Sequence, residues 1–323
     1  MIKRLKSNKI LSTLLIIMCL IIVFNPLIYA KACLNAISVW TFKILPVLFP
    51  FFILTRLIVN LSENKDGFMD KVFNKTFCTP NGSFRTYFLS VLSGYPMGAK
   101  LICDMYENKL INIKDAEKML SFCSISGPMF MLGTVGVMML KSYKAGLIIL
   151  ISNIIASLLN GLIYRGKHEN KSKENLNIYT TNELSLSNCV YDSLISILMV
   201  GAYVVLSFLI IEVFKSLHFF DAISYSICSV FKCLNRQNVL KSVMFGFIEI
   251  TCGILNLSST SVSLFTKIII SSGLVGFGGF SIIMQSLNFL SKIKIPIKKI
   301  FLQKITQGIL CIVISTILSI LIL

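Results

Sequence analysis

Several stretches of this chain stay apolar long enough to cross a bilayer, and no other feature restricts its fold as much. A helix needs roughly 20 apolar residues to cross about 30 Å of hydrocarbon. Ile10–Ala30, Ile37–Leu61, Ala145–Tyr164, Cys189–Phe214 and Ile305–Leu323 approach or exceed that length. Lipid offers no partner for backbone N–H and C=O groups, so a spanning segment must satisfy them internally. Continuous apolar runs do so as helices, and they lack the alternation of a barrel strand. The sequence therefore predicts an all-α polytopic membrane protein whose first partner is the lipid bilayer.

Composition agrees. The chain is 55% hydrophobic and 14% charged, whereas a soluble domain carries roughly a quarter charged residues. A formal net charge of +17 could suggest a nucleic-acid partner. The Lys and Arg residues instead lie in the polar gaps between apolar runs, as the positive-inside rule requires. No nucleic-acid-binding motif is present, so no nucleic-acid partner is expected. The 10 Cys form no CxxC pair, and the only His are His168 and His218. A disulfide framework, a metal site or a His-based catalytic centre is therefore not expected. The same holds for a cofactor or an enzymatic activity.

Lys3, Arg4, Lys6 and Lys9 precede Ile10–Ala30. That layout resembles a signal peptide, but the run exceeds the roughly 7–15 apolar residues of a signal core. Residues 1–37 are expected to be a retained N-terminal transmembrane anchor. Within Ile37–Leu61, Pro46 and Pro50 predict a kink. Phe84–Tyr106 is broken at Ser93-Gly94-Tyr95-Pro96-Met97-Gly98, which leaves pieces too short to span. Asn112 followed by Asp115 reads as a helix N-cap, and that helix is broken at Ser126-Gly127-Pro128. The polar stretch 165–188 reads as a cytoplasmic linker. His218–Phe231 reads as an interfacial amphipathic segment. Val239–Thr266 is interrupted by Gly246, Glu249 and Gly253, and Ile268–Leu290 by Gly273, Gly276, Gly278 and Gly279, and a basic loop, Ser291–Lys304, leads to the last span.

Residues 38–164 and 189–323 thus repeat one plan: an interrupted segment, a Gly-broken span, then an ordinary span. This predicts about seven transmembrane helices plus two re-entrant hairpins. An eight- or nine-span version, with one or both hairpins crossing, is the alternative. With the N-terminus inside, only Lys31, Lys141, Lys144, Lys215, Lys232, Arg236 and Lys241 fall in outside loops, and the other loop cations fall inside. The hairpins then enter from opposite faces, as the inverted repeats of secondary transporters do.

Non-helical backbone at membrane depth is tolerated where it is buried or lines a wet cavity. The second half of a broken helix presents free amides that favour an anion. The candidate substrate-binding residues are therefore Ser93, Gly94, Tyr95, Pro96, Gly98 and Lys100, then Ser126, Gly127 and Pro128, then Glu249, Thr251, Gly276, Gly278, Gly279 and Gln285. Lys100 would add a cation to the first break. Small residues also let helices approach closely, so each glycine has a packing reading too. Glu249 is isolated between Lys241 and Lys267, and a mid-membrane carboxylate costs about 2.5–3.5 kcal/mol. It reads as a proton carrier, a cation ligand, a hydrogen-bond partner of the substrate, or a structural partner of Arg56, Lys100 or backbone amides. These features predict a transporter or permease for a small anionic solute, coupled to a proton or cation. A homo-oligomer is compatible with them, and a non-transporting scaffold is the alternative class.

Ser93-Gly94-Tyr95-Pro96-Met97-Gly98-Ala99-Lys100, Ser121-Phe122-Cys123, Ser126-Gly127-Pro128-Met129-Phe130 and Gly133-Thr134-Val135-Gly136-Val137 resemble the YlbJ-type sporulation integral membrane proteins. Gly246-Phe247-Ile248-Glu249-Ile250-Thr251 and Gly276–Ser281 fit the same pattern, so the resemblance covers roughly residues 38–323. It implies nucleoside-recognition, or Gate, repeats with an architecture like that of concentrative nucleoside transporters. It also implies passage of dipicolinate across the outer forespore membrane during sporulation, with a nucleoside or another small metabolite as the alternative cargo. The family pattern implies Asn after Phe-Cys, where this chain has Ser124.

Overall fold

The computed structural model describes residues 2–61, 67–166, 186–230 and 236–323. Most of the expected linker lies outside the described residues, as do His168, Lys65 and Lys232. Among the described residues there are helices and short connections, and no strand.

Helix α1 (Ile2–Phe24) turns at Asn25 into α2 (Pro26–Val39), with Pro26 at the first helical position, where its missing N–H would be unpaired anyway. α2 continues through a π-helical turn, Trp40–Ile44, into α3 (Leu45–Leu61). The loop expected between Ala30 and Ile37 is therefore helix, and residue 37 lies inside a continuous rod. The wider turn directly precedes Pro46, and proline is a common cause of such irregularity.

The amphipathic α4 (Phe68–Phe77) sets Phe73 and Phe77 against Tyr87 and Phe122. Next come α5 (Ser83–Ser93) and α6 (Met97–Glu107), of 11 residues each. At 1.5 Å per residue neither is longer than about 17 Å. They fold back on each other: a Cβ on Gly98 would sit 2.9 Å from Ser90 Oγ, although an unbroken helix would hold those residues two turns apart. α7 (Ile113–Cys123) starts where Asn112 Oδ1 accepts the Asp115 amide at 2.9 Å, as its sequence predicts. After an irregular stretch, Pro128 restarts the chain into a π-helical segment, Phe130–Met139, followed by α8 (Tyr143–Ile163).

The second part has α9 (Leu186–Ser216), α10 (Phe219–Val230), α11 (Gln237–Ile248) and α12 (Ile250–Ser258). It ends with α13 (Leu264–Phe277), α14 (Gly279–Leu290) and α15 (Ile297–Ile322). α11 and α12 form a second hairpin, in which a Cβ on Gly253 would fall on the Gly246 backbone. Gly246 and Gly253 are thus contact points of the two arms, and Glu249 is the hinge. α15 begins eight residues before the expected Ile305, so Lys304 belongs to a helix and not to the preceding basic loop.

Among the described residues, five helices are long and apolar enough to cross a membrane: Pro26–Ile58, Tyr143–Ile163, Leu186–Ser216, Leu264–Leu290 and Ile297–Ile322. The chain is a multi-pass membrane protein. Of the remaining expected spans, α1 contributes the shorter apolar stretch Leu15–Phe24, and the segment after Pro128 contributes Phe130–Met139. The two parts interlock. α6 of the first hairpin packs on α14, α12 of the second packs on the 130–139 segment, and α8 and α15 run against each other between them. Small residues make these approaches close. A Cβ on Gly136 would meet the Gly146 backbone, and one on Gly276 would meet Cys311 and Gly308.

Candidate solute site

The first break is a backbone contact. α5 ends as the Gly94 amide bonds the Ser90 carbonyl at 2.8 Å, and Gly94 turns the chain at φ 71°, a conformation that favours glycine. Tyr95 and Pro96 form the turn, joined by a cis peptide, and α6 begins at Met97. Directly opposite lies the gap between α7 and the 130–139 segment. A Cβ on Gly94 would fall on the Gly127 backbone, so the two glycines bring both breaks of the first part together.

The break of the second hairpin is built differently. Glu249 leaves the helix with extended dihedrals and caps α12 with its own side chain. Its Oε2 accepts the Cys252 amide at 2.7 Å and the Thr251 hydroxyl. The carboxylate, 4% exposed, thereby takes up an amide that a broken helix would otherwise offer to an anion. At the fourth break, Gly278 and Gly279 both have positive φ, and Gly279 approaches the Gly246 and Ile248 carbonyls.

Three of these breaks, at Ser93–Tyr95, Ser126–Gly127 and Glu249–Thr251, line one cleft with about 600 Å³ of empty space, its mouth included. Ser93, Gly94, Tyr95, Ser126, Gly127, Glu249, Thr251 and Gln285 line it. Apolar walls come from Phe51 and Phe52 of α3, Val200 and Val204 of α9, and Phe130. Ser93 Oγ is buried and has no protein partner among the described residues. Gln285 Nε2 only reaches Ser281 Oγ at 3.5 Å.

The other sequence-predicted residues do not line the cleft. Pro96 starts α6, and Pro128 restarts the chain after Gly127. Gly98 is a packing glycine, because a Cβ there would fall on the Cys123 carbonyl oxygen. Lys100 lies one turn from Asp104 on α6 and acts electrostatically on it. Gly276 packs on α15, while Gly278 and Gly279 form the turn behind the cleft.

The cation at the first break is instead Lys304, which the sequence reading put in a loop. It is 3% exposed. Its Nζ donates to Tyr95 Oη at 2.6 Å, the Ser124 carbonyl at 2.8 Å and Gln307 Oε1 at 2.8 Å. The ammonium also sits 4.7 Å from the Tyr95 ring centroid, within cation–π range. A polar seam continues from there between α8 and α15. Gln307 Nε2 reaches Asn153 Oδ1 at 3.4 Å, and Asn160 Nδ2 donates to the Ser121 and Gln303 carbonyls at 2.7 and 3.1 Å. The signal for Lys304 was its spacing with Gln307, Gly308 and Cys311, which shares one helical face once α15 is started at Pro296.

No family model matches the chain, and no solved structure does. Among curated proteins the chain is similar to the sporulation integral membrane protein YlbJ of Bacillus subtilis (strain 168). The identity is 26% over 315 residues, covering 89% of this chain and 77% of that one. This similarity supports a YlbJ-type assignment. In this chain the Ser93–Lys100 motif is the turn of the first hairpin. At the position where the family pattern implies Asn, Ser124 contributes its backbone carbonyl to Lys304. Main-chain recognition of that kind does not depend on the side chain.

Proposed function

We propose that the chain is a sporulation-associated membrane permease and that the cleft is its solute site. The observation that carries this reading is the meeting of helix breaks from both parts of the chain around one buried, mostly apolar cleft. Irregular backbone in a bilayer is retained where it lines a cavity, and broken helices meeting between repeats are how many transporters build a substrate site. The matched order of hairpin, broken helix and long helix supports inverted Gate-like repeats, with α5–α6 and α11–α12 as the re-entrant hairpins.

The cleft suits a small aromatic solute. Phe51, Phe52, Phe130 and Tyr95 offer ring contacts, and hydroxyl and amide groups of Ser93, Thr251 and Gln285 offer orientation. Similarity to a sporulation protein and the family resemblance favour dipicolinate, moved across the outer forespore membrane. An ionised Glu249 would repel such a dianion. A proton or a cation on Glu249 removes that conflict, which makes it the coupling residue. The test is flux of dipicolinate and a nucleoside, side by side, into vesicles holding the purified full chain. Faster dipicolinate uptake is expected. A nucleoside preference would reassign the cargo, and no flux of either would end the permease reading.

A further inference from the structure

The surroundings of Lys304 deepen this reading, and the inference rests on it. Lys304 Nζ has three protons and three neutral acceptors: the Tyr95 hydroxyl, the Ser124 carbonyl and the Gln307 side-chain carbonyl. That set fits an ammonium, which has no lone pair to return. Among the described residues no carboxylate lies within ion-pair distance of it. A buried charge without a counter-ion is costly to retain. The second observation concerns Tyr95. Its oxygen accepts from Lys304, so its own proton must point elsewhere, and no protein acceptor takes that proton among the described residues. Tyr95 also lines the cleft. A hydroxyl that accepts from an ammonium is polarised and becomes a stronger donor.

We propose that Tyr95, held and polarised by Lys304, is the donor that selects a carboxylate group of an aromatic solute in this cleft. Lys304 is the positioning residue and supplies the compensating charge from behind the ring. Glu249 and Thr251 line the same cleft, and the solute binds with a carboxylate toward Tyr95 and away from the Glu249 carboxylate.

The test uses the purified full-length chain and two probes of nearly the same shape, dipicolinate and the uncharged pyridine-2,6-dicarboxamide. Equilibrium binding of each gives a charge preference. Wild type should prefer the dicarboxylate. Tyr95→Phe and Lys304→Met should each lower that preference roughly tenfold to a hundredfold, as expected for loss of one charge-assisted hydrogen bond. Because Lys304 acts through Tyr95, the double variant should lose no more than either single. Additive losses would overturn the link, and equal weakening of both probes would mark the pair as structural. Should Lys304→Met fail to fold, Tyr95→Phe, which removes one oxygen and keeps the ring, decides the matter. Flux of the same probes separates the two readings. Wild type that binds with preference but does not transport would end the permease reading and keep this one. Wild type without any preference would overturn the selection by Tyr95.

Discussion

The break of the second hairpin caps itself, whereas that of the first is completed by a residue from the far end of the chain. At Glu249 the capping carboxylate, the Thr251 hydroxyl and the Cys252 amide lie within four residues of sequence. At Gly94–Pro96 the polar partner of Tyr95 is Lys304, more than 200 residues later. A local cap needs only the right residue at the hinge. A distant cap requires both parts of the protein to be folded and docked. The first break is thus the one whose geometry reports on the docking of α15 and α7. The second keeps its hinge bonds within its own hairpin.

The sharpest way to break this comparison is at the glycine contact beneath the first break. Gly94 has φ 71°, and a Cβ there falls on the Gly127 backbone, which has no side chain to move aside. Gly94→Ala should therefore lose on the order of 3 kcal/mol, combining backbone strain with overpacking. Gly67 is the control, because nothing lies within 4 Å of its Cβ position. Thermal unfolding of the solubilised protein should show a large drop for Gly94→Ala and a much smaller one for Gly67→Ala, where only the N-cap preference of α4 for glycine over alanine is lost. Equal behaviour of the two variants would mean that the Gly94–Gly127 contact does not hold the first break.

A smaller effect is expected at the self-capped break. Glu249→Ala removes the N-cap of α12 and should cost roughly 1 kcal/mol. Glu249→Gln keeps a carbonyl oxygen for the Cys252 amide and should cost less. Stability and transport then separate. If Glu249 carries a coupling proton, Glu249→Gln should flatten the dependence of dipicolinate uptake on pH while the protein remains folded. Initial rates, normalised to protein in the membrane, give the answer. Superimposable wild-type and Glu249→Gln profiles would leave Glu249 as a cap alone.

The difference between the breaks also explains what was readable in the sequence. The helices were visible because apolar runs and caps such as Asn112 are local. The breaks were visible because Gly, Pro and an isolated Glu interrupt those runs. Lys304 was hidden because a lysine beside Lys298 and Lys299 looks like loop charge. Only the true start of α15 turns it inward, and its partners Tyr95 and Ser124 are set by tertiary packing. Glycine was ambiguous for the same reason. Gly94 and Gly278 turn the chain, whereas Gly98, Gly246 and Gly276 allow helices to touch, and local sequence treats both uses alike. The helix through residues 31–36 escaped because Lys31 interrupts the apolar run and reads as loop charge.

The smallest expected effects lie at the outer ends of the two hairpins, where exposed ion pairs should respond at opposite ends of the pH scale. The first hairpin is tied by Glu107 of α6 to Lys292, 2.7 Å apart, in the connection before α15. The second is tied by Lys241 of α11 to Asp221 of α10, with His218 Nδ1 3.5 Å from the same carboxylate. The hydrogen bond from Lys292 to Glu107, reinforced by the Glu107 charge, raises the Lys292 ammonium above its ordinary value. A raised cation stabilises the fold below its unfolded value of about 10.4, and that contribution disappears as pH rises through the folded value. The hydrogen bond from Lys241, aided by its charge, lowers the Asp221 carboxyl. A lowered carboxyl stabilises the fold above its unfolded value of about 3.9, and the contribution disappears as pH falls through the folded value. Both pairs face solvent, so the shifts in unfolding temperature should be small and should shrink with salt. Glu107→Gln should differ from wild type at neutral pH and converge with it at strongly alkaline pH. Asp221→Asn should differ at neutral pH and converge with wild type in acid. If either variant matches wild type at neutral pH, its hairpin is not anchored by that pair.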